Sequence, residues 1–104
     1  MRFLCLAFGD KDGWISLSDD EKTDVLAQDS VITGGGATVV AVRPEVTSVR
    51  NWGKHLEVSD GPHQAGLPLA GFYIIEAESA AAVVERVANT PCARARGVIE
   101  IHPF

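Results

Sequence analysis

The amino-acid sequence predicts an α+β domain of the ferredoxin-like split βαβ kind, an antiparallel sheet with two helices on one face. Three observations point there. Segments of strand and helix periodicity follow one another as strand, helix, strand, hairpin strand, strand, helix, strand. Both helical segments open on a serine placed as an N-cap, Ser18 and Ser79. Between them, Gly53 and Lys54 stand as the two central residues of a tight hairpin turn.

The first segment, residues 2 to 8, is apolar in both alternating sets, Leu4, Leu6 and Phe8 against Phe3, Cys5 and Ala7, as in a central strand covered on both faces. Gly9 to Leu17 reads as a polar connection. Ser18 and Glu21 then form a capping box, with Asp19 and Asp20 adding acids to the first turn of a helix. Val25, Leu26 and Ile32 make its apolar stripe, and Asp29 marks the edge of that stripe. The run Gly34, Gly35 and Gly36 closes the helix and precedes the strand segment ATVVAV. A phosphate-binding loop follows a strand and opens a helix, the reverse order, so the run reads as a helix C-cap and turn.

The hairpin turn sets a register: Trp52 opposite His55, Arg50 opposite Glu57, Val49 opposite Val58 and Thr47 opposite Asp60. Arg50, Trp52, His55 and Glu57 share a wet face. Strict alternation puts Val49, Leu56, Val58 and Asp60 on the other. AGFYIIEAE reads as a further strand. Ser79 then opens the most amphipathic helix of the chain, with Ala80, Val83, Val84, Val87 and Ala88 at helical spacing. Asn89 and Pro91 stop it, TPCARAR turns the corner, and GVIEIHPF is the closing strand. With no internal repeat, low-complexity tract or linker, residues 1–104 read as one domain. Two helices cover only one sheet face, so a homodimer packed sheet to sheet, a dimeric barrel-like assembly, is expected to cover the other.

Composition bounds the function. The chain is 46% hydrophobic and 22% charged, ordinary for a soluble globular protein. A net charge of −5 without any block of Lys or Arg offers no footprint for nucleic acid or an anionic membrane, and neither is expected as a partner. The N-terminal apolar run stops at Gly9 and Asp10, too short to span a membrane and without a small-residue cleavage site, so the cytoplasm is the expected address. Cys5 and Cys92 are read as free thiols, Cys92 lying just past a helix C-terminus where the dipole disfavours a thiolate. The scattered histidines and cysteines give no metal-ligand spacing, and no cofactor is implied.

Asp60 is the leading candidate for chemistry, because an acid at the end of an apolar strand face needs donors. Its ordinary Asx-turn partner, the N–H of residue i+2, is missing, since that residue is Pro62. The carboxylate must turn to the N–H of His63, to a distant Arg or Lys, or to a ligand. His63 is near enough in sequence for its ring to approach Asp60, which would suit the pair to proton transfer. Glu100 lies mid-strand on the face of Val98 and needs a partner, for which Arg94 and Arg96 are the expected donors; Arg94 and Glu100 are the candidate ligand-binding pair. His55 reads as inert, and His102, alternating with Val98 and Glu100, as surface or subunit interface.

The stretches MRFLCLAFGD, VSDGPHQAGLPLAGFYIIEAES and TPCARARGVIEIHPF resemble the YCII-related family in its DGPF-domain branch, over essentially the whole chain. The resemblance implies a ferredoxin-like fold and a dimer whose facing sheets enclose clefts. It implies an Asp and His pair for proton transfer or elimination, with Asp60 matching the acid. The chain departs from that pattern: it has no histidine in or just after its first strand, His63 replaces the aromatic residue of Asp-Gly-Pro-Phe, and Gln64, Ala65 and Gly66 stand where an acidic, lysine-containing stretch is typical. Members of the branch are also linked to sigma factors, which implies a regulatory or accessory role. Two functions follow: a dimeric small-ligand-binding or accessory domain, and a small cofactor-independent enzyme using Asp60 with His63 in the dimer cleft.

Overall fold

The hairpin supplies the frame of the sheet. In the structure, a computed structural model that describes residues 1–64 and 66–104, β1 (Thr47–Trp52) and β2 (His55–Asp60) pair antiparallel in the expected register, from Trp52 opposite His55 to Thr47 opposite Asp60. Gly53 and Lys54 both have positive φ, 60° and 64°, which matches the twist of the flanking strands. Glycine takes that conformation freely; Lys54 takes it at a modest cost because the turn demands it.

β3 (Ile99–Ile101) joins the other edge of β1, also antiparallel, to give the order β2-β1-β3. Its register sets Val49 opposite Ile99 and Ser48 opposite Glu100. The sheet therefore has two chemically distinct faces. One carries Val49, Ile99 and Ile101, packed with Val87 of α3 (Ala80–Val87) and flanked by Ile75, Val83 and Val84. The other carries Ser48, Arg50, Trp52, His55, Glu57, Ser59 and Glu100 by alternation.

The serine at 79 caps α3 as expected, its hydroxyl accepting from Ala82 N–H at 3.2 Å. At the other end, the buried Asn51 donates its side-chain N–H to the Ala88 carbonyl at 2.8 Å, satisfying an acceptor that the helix leaves open. The TPCARAR corner is a short helix, α4 (Pro91–Arg94), with proline at its start, where its missing N–H costs nothing.

The chain's contacts gather into two units, residues 1–40 and 41–104, and the sheet with α3 and α4 belongs to the second. In the first, α2 (Asp19–Gly34) begins with the expected capping box: Glu21 N–H meets the Ser18 hydroxyl and the Glu21 carboxylate meets Ser18 N–H. Those bonds, the backbone one foremost, hold the Glu21 carboxyl below its ordinary value. The glycine run ends this helix as a C-cap, with Gly35 N–H on the Val31 carbonyl and Gly36 at φ 94°. Val25, Leu26 and Ile32 of its stripe are all exposed.

Several expected elements are corrected. The connection before Ser18 contains a short helix, α1 (Lys11–Ile15), capped by the Asp10 carboxylate on Gly13 N–H at 2.8 Å. Residues 2–8, 37–42 and 70–78 form no strand. Apolar periodicity alone does not make a strand, which also needs a ladder partner for its main-chain groups. Here Phe3, Phe8, Phe72 and Ile74 are exposed rather than sandwiched. The sheet among the described residues is accordingly mixed α+β with three antiparallel strands, and its uncovered face is polar rather than a surface of Phe and Ile.

Candidate functional site

The chain leaving β2 does not hang free. Gly61, at φ 98°, donates its N–H to the Val46 carbonyl at 2.7 Å and receives the Ser48 hydroxyl on its own carbonyl at 2.6 Å. Ser48 is buried (4% exposed) although it lies on the polar face of the central strand. From there the turn reaches β3: His63 donates its main-chain N–H to Glu100 Oε2 at 2.9 Å, and its ring Nδ1 lies 2.6 Å from the same oxygen. The other oxygen, Oε1, sits 3.1 Å from Nε2 of His102.

One carboxylate thus gathers three donors, two of them imidazoles. An ionised carboxylate only accepts, so each facing ring nitrogen carries a proton: His63 is the Nδ1–H tautomer and His102 the Nε2–H tautomer. Their second nitrogens, Nε2 of His63 and Nδ1 of His102, are left for other partners. All three side chains are partly covered, with 22% of Glu100, 30% of His63 and 38% of His102 exposed. Burial pushes the Glu100 carboxyl up, but the His63 N–H, the His63 ring and His102 outweigh it and hold the group below its ordinary value of 4.5.

Asp60 and His63 are not brought together as expected. Asp60 ends β2 exposed, on the α3 side of the sheet, at the rim of a shallow depression of about 470 Å³ shared with Val58, Val84 and Glu85. Among the described residues no donor meets its carboxylate. The reason is local geometry: Pro62 removes the nearest N–H, and the next one, on His63, is carried across the sheet to Glu100. An exposed carboxylate is solvated and needs no protein donor.

Arg94 does not serve Glu100 either. It is held in α4, where its Nη1 reaches Asn89 Oδ1 at 3.3 Å and its Nε is buried without a partner among the described residues. Arg96 lies in the exposed turn beyond, at φ 60°. Farther along the polar face, Arg50 pairs with Glu57 as the register requires and lies 5.0 Å from the Trp52 ring centroid. With His55 these line a hollow of about 250 Å³ whose charges satisfy each other. Trp52 donates its indole N–H to the Gly97 carbonyl at 2.8 Å.

A match to the YCII-related domain spans residues 1–104. The chain belongs to the YCII-related domain family. No curated protein and no solved structure matches it. Among its departures from the branch pattern, Ala65 lies outside the described residues, while the histidine in place of the aromatic residue is the group that docks on Glu100. Sequence reasoning had Glu100 and His63 separately but missed their union and the part of His102. The one available signal was the i, i+2 spacing of Glu100 and His102, which puts both on one strand face. Among the described residues there is no group of three His, Cys, Asp or Glu able to hold a metal ion, and no helix is long and apolar enough to cross a membrane.

Proposed function

We propose that this chain is a small-ligand-binding or accessory YCII-related domain, one ferredoxin-like domain working as a cytoplasmic homodimer, whose recognition centre is the His63, Glu100 and His102 cluster. The observation that carries the reading is the sharing of one carboxylate by two imidazoles. Glu100 fixes both tautomers, so two ring nitrogens with free lone pairs are offered to ligand hydroxyl or ammonium groups. Asp60, exposed on the α3 side, takes no part. The exposed side chains of Leu67, Leu69, Phe72, Tyr73 and Ile74 support a second copy as cover. A regulatory link to a sigma factor stays with this accessory reading.

The same tautomer favours a second reading. A histidine held through Nδ1–H by a carboxylate presents Nε2 as a general base, so proton transfer on a small organic substrate without cofactor would run through His63, with Glu100 in the place sequence analysis gave to Asp60. One experiment tests both. Small hydroxy acids and primary amines are titrated into the protein in D₂O, following the imidazole ¹⁵N resonances and deuterium incorporation at ligand carbon. Binding that shifts His63 and His102 and is lost in His63→Ala supports the first reading, and deuterium uptake adds the second. Ring resonances unmoved by every compound at millimolar concentration contradict both.

A further inference from the structure

We propose that Glu100 is an acid-release latch on the turn 61–63, which holds that turn across the sheet while its carboxylate is ionised and frees it when the carboxylate is protonated. The inference starts from the route of the chain. Gly61 is tied to β1 through Val46 and Ser48, and His63 is tied to β3 through Glu100 alone among the described residues. Everything that fastens the far end of the turn therefore passes through one ionisable group.

Protonation removes the acceptor that holds the turn. While Glu100 is ionised it accepts from three donors, two on His63 and one on His102; once it is neutral, one oxygen carries a proton of its own and fewer acceptor sites remain for them. Among the described residues, nothing packed against Glu100 replaces it. Opposite on β1 stands Ser48, its hydroxyl committed to Gly61. The next residue of that face, Arg50, is committed to Glu57 across the hairpin. α3 packs on the opposite face, where Glu85 borders the Asp60 depression and Arg86 donates to the Glu76 carbonyl at 3.1 Å. In α4, Arg94 is turned to Asn89. The sheet core of Val49, Val87 and Ile101 contains no titratable side chain, so the turn opens while the sheet holds. The lowered position of Glu100 relative to 4.5 puts the release on the acid side of that value.

The latch uses the cluster of the binding reading but needs no ligand, so the two fail separately. Its test is amide hydrogen exchange by NMR, corrected for intrinsic rates, from about pH 7 down to the acid limit at which the β1 amides open, on the wild-type chain, Glu100→Gln and His102→Ala. The expected wild-type result is a His63 amide protected at least about tenfold near neutrality and exposed below 4.5, with the β1 amides still protected. In Glu100→Gln, which accepts without titrating, protection is weaker and independent of pH. In His102→Ala the transition moves to higher pH, because His102 is one of the donors that hold the Glu100 carboxyl low. A His63 amide unprotected near neutrality, protection that lasts until the β1 amides open, or an unchanged transition in Glu100→Gln would each overturn the latch.

Discussion

His63 and Glu100 are joined twice, once through the main chain and once through the imidazole, on the same carboxylate oxygen. The pair lies 37 residues apart in sequence, so it closes the turn after β2 onto the last strand of the chain. That closure, and not the acid of the Asp-Gly-Pro motif, organises the polar end of the sheet.

Replacing Glu100 by Gln removes the charge while leaving an acceptor. Charge-assisted bonds to a partly buried carboxylate are worth roughly 1.5–3 kcal/mol, and this site sits at the low end because its side chains remain partly exposed. Urea unfolding near neutral pH should show Glu100→Gln less stable by about 1 kcal/mol.

That loss depends on pH with a definite sign. The folded Glu100 carboxyl titrates below its ordinary 4.5, so the unfolded chain binds the proton more readily. The contribution is therefore complete above 4.5 and disappears as pH falls through the folded value. Unfolding curves of wild type and Glu100→Gln should be separated near neutrality and converge in acid. A gap that widens in acid contradicts the sign.

Asp60→Asn bears on the motif itself. The carboxylate is exposed and meets no donor among the described residues, so the substitution should change stability by no more than about 0.5 kcal/mol. Thermal melts of the two proteins check it.

Asn51→Ala removes the donor that closes the C-terminal end of α3 and leaves the Ala88 carbonyl buried without it. An unsatisfied buried group costs about 1–3 kcal/mol. The variant should be less stable by that amount in urea unfolding, with exchange accelerated in the last turn of α3.

Gly97→Ala tests a close approach of main chain to main chain. A Cβ built at Gly97 would lie 2.5 Å from the Cys92 carbonyl oxygen, which already accepts Gly97 N–H at 2.8 Å. Backbone must move to make room, and a cost of about 1–3 kcal/mol is expected. Trp52, bonded to the Gly97 carbonyl, should report the shift in its fluorescence.

The hairpin and both serine caps were legible because their causes are local. The Gly53-Lys54 turn dictates the register one pair at a time, and a capping box needs only Ser18 and Glu21. The strands expected at 2–8, 37–42 and 70–78 were not recoverable in the same way, since whether an apolar run pairs is decided by a distant neighbour. The candidate site turns on the same distinction. Asp60 and His63 looked joined because they are three residues apart, yet the partner of His63 is set by the β1–β3 register that places Glu100 opposite Ser48. No periodicity within the chain reports that register.

The most direct measurement is a pair of double-mutant cycles on folding stability near neutral pH, one combining His63→Ala with Glu100→Ala and the other combining His63→Ala with Asp60→Ala. A coupling of about 1 kcal/mol between His63 and Glu100, with none beyond about 0.3 kcal/mol between His63 and Asp60, is the predicted result. Coupling of His63 to Asp60 with none to Glu100 would contradict the account.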